Sequence, residues 1–314
     1  MSLQQEMAAG ELVLDVAKAK ALTRTHAFTV ATPVTRIATF HSGSLSALIA
    51  SLPALLALRE SFPGAHISCF ARAPHVDLLA HFRACDKAQA RPGGGVPGQA
   101  ALMARLHAGE FDLAVSFSSG ANAMLLLWST RAPQRAGFVP SPFEAFLTHR
   151  APGRGPLSAR SALDLVAQVG AAPHGGRVAE ALEVPQETFD SLRARLPFEF
   201  GEFILVPFDS SPRASKNGAG DWAKTLAELR ARWPVVIVAP RANGWKEVAA
   251  TDAPHGGFVW AAPDSLTLLA LSRTARAIVG PGGAATELAL LDGRRVVRAL
   301  PEDAATETLR LLGL

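Results

Sequence analysis

From Arg36 onward, short apolar runs alternate with longer stretches whose apolar residues recur at helical spacing. Ile37-Ala38-Thr39-Phe40 reads as a buried strand, followed by the loop His41-Ser42-Gly43-Ser44. Leu45 to Ser61 reads as a helix that carries Pro53 inside it, and Phe62-Pro63-Gly64 stops it. His66 to Phe70 is a second strand, Pro74 to Phe82 a short helix and Gln99 to His107 another. Phe111 to Phe117 is a strand and Ala121 to Ser129 a helix. This βαβαβα order predicts a parallel sheet with helices on both faces.

Residues 140–185 interrupt the pattern, because Pro140, Pro142, Pro152, Gly153, Gly155 and Pro156 break regular structure. One helix is expected within this region, from Ser161 to Val169, and the stretch from Gly170 to Gly176 reads as a boundary. A second α/β pattern then begins. Strands are expected at Phe203–Val206, Pro234–Ala239, Ala277–Val279 and Arg295–Arg298. Helices are expected at Asp221–Ala231, Ser265–Ser272, Ala284–Leu291 and Thr306–Leu312. The pattern therefore predicts an α/β protein with two Rossmann-like domains, 36–175 and 176–314, whose parallel sheets face a central cleft. Residues 1–35 form an extension, with a helix over Gln4 to Leu22. Ligands are expected beyond the carboxyl ends of the strands.

Composition narrows the class. Hydrophobic residues make up 49% and charged residues 18%, against a usual charged share of about 25%. Such a chain buries a large core, which excludes disorder as its main state. Two cysteines, Cys69 and Cys85, are too few for a disulfide framework or a cysteine-rich zinc site; they read as small core residues in a reducing cytosol. Met1 to Leu14 lacks the basic start of a signal peptide. The most apolar stretch, Leu45 to Leu58, is about 14 residues long, against about 20 for a bilayer crossing. The expected location is the cytoplasm, peripheral to the inner membrane at most.

Charge is uneven. The first 150 residues carry 13 Lys and Arg against 9 Asp and Glu, so the whole net charge of +4 lies there. An anionic partner is favoured: phosphate, an acidic glycan or glycolipid, or a membrane surface. Nucleic acid is not expected, since no basic run is interleaved with aromatics.

Three segments could carry chemistry. Val279-Gly280-Pro281-Gly282-Gly283-Ala284-Ala285-Thr286-Glu287 is a strand, a glycine turn and a helix start. Glycines permit close backbone approach, and a helix N-terminus suits a phosphate. Glu287 could accept from a ribose, or simply complement the helix dipole. Pro207 to Lys216 also follows a strand and offers Ser210, Ser211 and Lys216 to a diphosphate. It could equally be a solvated loop. The third is the His41 loop, in which His41 could line the cleft or lie exposed, beside Ser42, Gly43 and Ser44. There is no G-x-S-x-G elbow for a serine hydrolase and no metal-ligand spacing. Gly93-Gly94-Gly95 follows no clear strand and reads as a loop.

The order of segments resembles glycosyltransferase family nine, the lipopolysaccharide heptosyltransferases, over roughly Arg36 to Leu300. The family's L-P-A-L-x-A-L-R-x-x-F-P sequence is matched from Leu52 to Pro63. Its Y-D-L-x-I-D strand is met by Phe111 to Ser116, and its A-P-x-R-x-G-F by Ala132 to Phe138. Pro207 to Lys216 echoes its H-P-G-A-S-x-x-S-K-x-W, and Pro281 to Thr286 falls where it has D-S-G-x-x-H. The resemblance implies a GT-B fold and a nucleotide-diphosphate sugar, ADP-sugar foremost, bound by the C-terminal half. Ser210, Ser211, Lys216, Gly282, Gly283, Ala284, Thr286 and Glu287 would hold it. The acceptor would be a lipopolysaccharide-core or other glycan, with no separate cofactor and no metal.

The departures fall on the acids. The family's acid in the first loop falls at Ala47, that of the Y-D-L-x-I-D strand at Ser116, and the late Asp and His at Pro281 and Thr286. A transferase needs a group to take the acceptor proton, a role worth about 10²–10⁴-fold. His41 is the candidate replacement, since imidazole titrates near neutrality, and Ser116 would line the cleft. Two functions remain: a glycosyltransferase, or a catalytically inactive GT-B protein that binds a nucleotide sugar or a protein partner. A dinucleotide-dependent oxidoreductase is disfavoured, because no G-x-G-x-x-G follows the first strand.

Overall fold

The computed structural model describes residues 33–41, 43–92, 96–153, 155–208, 219–239, 255–280, 282–298 and 301–312. The expected N-terminal helix, Ser42, the Gly93–Gly95 loop, Ser210, Ser211, Lys216 and Pro281 lie outside the described residues. The chain divides into two compact units between Ala181 and Leu182. The expected boundary segment is tied to the first unit. The amides of His174 and Gly176 donate to the Glu60 carboxylate at 2.7 and 2.8 Å, and the Arg83 amide donates to the Ala181 carbonyl at 2.7 Å.

The first unit contains β1 (Arg36–Phe40), α1 (Leu45–Ser61), β2 (His66–Arg72), α2 (Val76–Ala80) and β3 (Lys87–Arg91). It continues with α3 (Val96–His107), β4 (Leu113–Ser116), α4 (Ala121–Ser129), β5 (Gln134–Val139), β6 (His149–Pro152), α5 (Ala159–Ala167) and α6 (Val178–Ala181). Its six strands lie in the order β3-β2-β1-β4-β5-β6, and every pairing is parallel. The chain builds one side of the sheet from β1 to β3 and then crosses to β4. The switch point, where such sheets take ligands, therefore lies between β1 and β4.

Helix α1 runs through Pro53 without interruption. Leu48, Ile49, Leu52, Leu55 and Leu58 are fully buried, and burial of each such side chain contributes about 1.5–3 kcal/mol. Asp112 ties the start of β1 to the neighbouring chain: its carboxylate accepts from the amides of Thr35 and Arg36 at 2.8 and 2.9 Å. Those bonds, with the Thr35 hydroxyl, hold its carboxyl below the usual range against the opposing cost of burial, the largest influence on it.

The second unit contains α7 (Gln186–Arg195), β7 (Ile204–Pro207), α8 (Ala219–Arg230), β8 (Val235–Ala239) and β9 (Gly257–Ala261). It ends with α9 (Ser265–Thr274), β10 (Ala277–Gly280), α10 (Ala284–Leu291), β11 (Val296–Arg298) and α11 (Pro301–Leu312). Its five parallel strands lie in the order β11-β10-β7-β8-β9. Here the switch point falls between β7 and β10. The three central strands are apolar throughout, and Ile204, Leu205, Val235, Val236, Ile237, Ile278 and Val279 have no exposed surface, as a sheet covered on both faces requires.

Among the described residues, no helix is long and apolar enough to cross a membrane. Cys69 is buried in β2, and Cys85 is half-buried beyond it.

Candidate functional site

In the first unit the residues around the switch point come from the end of β1, the first turn of α1 and the loop after β4. Ser44 caps α1, its hydroxyl accepting from the Ala47 amide at 3.3 Å. Ser44, Ser46 and Ala47 line one wall of a pocket of about 330 Å³. Phe117, Ser118 and Ser119 form another, and Phe138, Gly153, Gly155, Pro156, Leu157 and Ser161 complete it. Ser116 shapes this pocket from behind. It is fully buried, donates to the Ser118 carbonyl at 2.7 Å and accepts from the Ser118 amide at 3.3 Å. The expectation that Ser116 lines the surface is thereby corrected: it braces the loop that does.

His41 also requires correction. Its ring is fully buried, stacked on Phe117 with centroids 5.2 Å apart. Its Nδ1 lies 2.8 Å from the Ser51 hydroxyl, and its Nε2 lies 3.0 Å from the Thr39 hydroxyl. The Ser51 hydroxyl proton goes to the Leu48 carbonyl at 2.6 Å, so Ser51 can only accept from the ring. The network thus places the proton on Nδ1, and Nε2 accepts from Thr39. Burial, and then the charge of Arg91, push the imidazole down to about 3. His41 is a neutral strut joining β1 to α1, without an exposed face to offer a substrate.

The pocket beside Ala47 is consequently rich in hydroxyls and poor in proton acceptors. Among the described residues that line it there is no carboxylate, imidazole or amine. It can orient a polyhydroxylated ligand through Ser44, Ser46, Ser118, Ser119 and Ser161. It cannot itself take up a proton near neutrality.

A second, larger pocket of about 560 Å³ adjoins Gly43 on the other side of β1, and Arg72 and Arg91 line it. Sequence reasoning missed both arginines. Each ends a strand, but β3 (Lys-Ala-Gln-Ala-Arg) has too few apolar residues to be read as one.

In the second unit the two expected loops leave adjacent strands, β7 and β10. Gly280 packs so closely on Pro207 that an added Cβ would lie 3.3 Å from the Pro207 carbonyl oxygen. Gly282 and Gly283 adopt φ of 117° and 107°, which side chains other than glycine's rarely tolerate. Gly283 opens α10 with no side-chain cap. The first intrahelical bond runs from the Glu287 amide to the Gly283 carbonyl at 2.9 Å. The amides of Ala284, Ala285 and Thr286 therefore have no acceptor within the helix, at the positive end of its dipole.

Two side chains here differ from expectation. Thr286 is fully buried, and its hydroxyl has no hydrogen-bond partner among the described residues. Glu287 is held by an ion pair with Arg298 at the end of β11, which leaves its carboxylate less free for a ribose. The far end of α10 is anchored more firmly. The Asp292 carboxylate accepts from Arg273 Nε at 3.1 and 3.0 Å and from Nη2 at 2.7 Å, while Nη2 also donates to the Leu182 carbonyl at 2.9 Å.

Two all-parallel Rossmann-like sheets, one of six strands and one of five, make this an α/β protein of the GT-B class. Its structure is similar to that of a glycosyltransferase family 9 protein from Veillonella parvula, with a TM-score of 0.68 at 15% identity, covering 84% of this chain and 80% of that one. It is equally similar to E. coli ADP-heptose lipopolysaccharide heptosyltransferase II, with TM-score 0.68 and 15% identity over 88% of this chain and 98% of that one. E. coli heptosyltransferase WaaC, solved with ADP-2-deoxy-2-fluoro heptose, gives 0.63 and 14% over 89% and 99%. No family model matches the chain, and no curated protein matches it in sequence. The likeness at these identities is one of fold.

Proposed function

We propose that the protein is a glycosyltransferase that moves a sugar from a nucleotide-diphosphate donor to a hydroxyl of a lipopolysaccharide-core-like glycan. An ADP-sugar is the first donor to test. The observation that supports this most is the uncapped start of α10 behind Gly282 and Gly283, at the switch point of the second sheet. Amides pointing out of a glycine turn receive a diphosphate well. The Pro207–Lys216 loop leaves the adjacent strand, and Lys216, outside the described residues, would add a cation. In the transfer, the acceptor oxygen bonds to the anomeric carbon as the bond from that carbon to the diphosphate breaks, and the hydroxyl proton passes to water or to the departing diphosphate. The diphosphate departs with the electron pair, and its developing charge is met by the helix start. Gly43 and Ser44, at the end of β1, belong to the acceptor side.

A second reading has its own observation. The acceptor hydroxyl must lose a proton, and the pocket beside Ala47 has no group among its described residues to take it. A protein that binds a nucleotide sugar without transferring it would have such a pocket.

Thermal unfolding of wild type and Lys216→Ala with ADP, UDP, GDP and CDP and their sugars tests the donor site. A ligand at about 100 times its dissociation constant stabilises the fold by about 2.7 kcal/mol. Stabilisation by one nucleotide, lost in Lys216→Ala, supports the donor site. Absence of a shift with every nucleotide overturns both readings. Release of the nucleoside diphosphate on adding glycan acceptors then separates transferase from binder.

A further inference from the structure

Trp128 is the most exposed large apolar side chain among the described residues, at 50%. Leu125, one helical turn earlier on α4, is 37% exposed, and Phe143, in the turn after β5, is 36% exposed. Phe146 joins them. Its ring stacks on Trp128 with centroids 5.5 Å apart, and Phe143 stacks on Phe146 at 5.5 Å with planes 5° from parallel. The rings therefore form a row in the order Trp128, Phe146, Phe143, with Leu125 on the same helix as Trp128. Leu290 and Leu311, the other large apolar side chains exposed among the described residues, lie in the second unit. Apolar residues exposed singly are ordinary, whereas a contiguous patch marks a contact surface.

The two ends of the row differ in charge. The Arg131 amide donates to the Trp128 carbonyl at 3.1 Å, which sets Arg131 at the Trp128 end. Glu144 directly follows Phe143 and sits at the opposite end. Both are exposed, and neither is in an ion pair among the described residues. A base at one end and an acid at the other make the row complementary to its own copy after a half-turn. The acid also disfavours an anionic bilayer as the occupant, because the carboxylate would be pressed against like charge.

We propose that this row is the contact surface of a symmetric dimer formed with a second copy of the chain. With the two-fold axis at Phe146, the Trp128 end of one protomer lies over the Phe143 end of the other. Glu144 then meets Arg131 of the partner subunit, and the same pair recurs at the opposite end. Trp and Arg are the side chains that most often dominate such contacts, and paired rings attract beyond the area they bury. The row is short against the about 20–30 residues a side of a stable interface, so the dimer is reversible, with a dissociation constant of about 1–100 µM. The surface lies wholly within the first unit and needs neither donor nor acceptor, so its failure would leave the proposed function untouched.

Sedimentation velocity of the full chain without nucleotide, from about 2 to about 200 µM, is the test. Wild type should pass from monomer to dimer across that range. Trp128→Ser should weaken the dimer about tenfold or more, since the substitution acts in both copies. Glu144→Arg and Arg131→Glu, at exposed positions that the fold does not need, should each weaken it about tenfold by setting like charges together at both ends. An equimolar mixture of these two variants restores opposite charges at both ends and should dimerise about as tightly as wild type. A monomer throughout the range, or a dimer as tight in Trp128→Ser as in wild type, would overturn the proposal. Charge variants that dimerise like wild type, or a mixture no tighter than its components, would overturn the half-turn arrangement. A chain that stays monomeric and binds phosphatidylglycerol vesicles through Trp128 would overturn the dimer and give the row to a membrane.

Discussion

Acid should destabilise the first unit through His41, alongside the Asp112 carboxyl and the His149 imidazole, which are also held low. The imidazole titrates near 6.5 in an unfolded chain and at about 3 in the folded protein. Between those values the unfolded state binds a proton that the folded state refuses. The His41 contribution is therefore complete above about pH 6.5, declines as pH falls, and stops declining below about pH 3. Each pH unit inside that window costs about 1.4 kcal/mol. Going from pH 7.5 to pH 5 should remove about 2 kcal/mol, and full acidification about 5 kcal/mol in all, a large share of a domain's usual 5–15 kcal/mol. His41→Gln keeps a donor and an acceptor for Ser51 and Thr39 but does not titrate. Urea unfolding followed by circular dichroism, for both proteins at pH 7.5 and pH 5, gives the double difference. His149, also pushed down by burial, is common to both and cancels. The variant should be less stable at pH 7.5 and lose about 2 kcal/mol less on acidification. An identical pH dependence, within about 0.5 kcal/mol, would refute the buried neutral strut and reopen His41 as an accessible base.

Two further predictions concern the pockets. Ala47→Asp places a carboxylate at the third position of α1, where Ser44 already caps the helix; such a pairing favours the helix and keeps the acid ionised. Stability should hold or rise by up to about 1 kcal/mol, and nucleoside-diphosphate release with acceptor should increase by up to about 10²-fold; a rate unchanged from an active wild type would mean that the position does not face the acceptor. Gly283→Ala forces a side chain into a φ of 107°, which should cost about 1–3 kcal/mol and abolish nucleotide-dependent stabilisation. Retention of that stabilisation would remove the glycine turn from the donor site.

The central strands and main helices were legible because burial on both faces demands continuous apolar runs. β1, β2, β4, β7, β8 and β10 were all read, and α1, α4 and α10 match expectation end to end. What was missed lies mostly at sheet edges. β3, β6 and β9 are edge strands, and β3 and β6 are polar, as an edge strand can be because one side of it meets solvent or a loop. His149-Arg150-Ala151-Pro152 carries no signal that distinguishes it from a turn. β5 begins with Gln134-Arg135, whose polarity disguised a strand that the family resemblance had marked only as a motif.

The sequence by itself determined the two Rossmann-like halves, the glycine turn before α10, and an alanine at position 47, where the family it resembles carries an acid. These depend on local chemistry: apolar periodicity, glycine's freedom at positive φ, and the identity of one side chain. Tertiary structure alone decided which side chains meet the pockets. His41 and Thr39 are two residues apart on an extended chain and so share a face, and the packing of α1 made that face the interior. Arg72 and Arg91 are distant in sequence and became neighbours only through the register of β2 against β3. Orientation and register are properties of the assembled sheet, since a one-residue shift would turn each of these side chains to the opposite face.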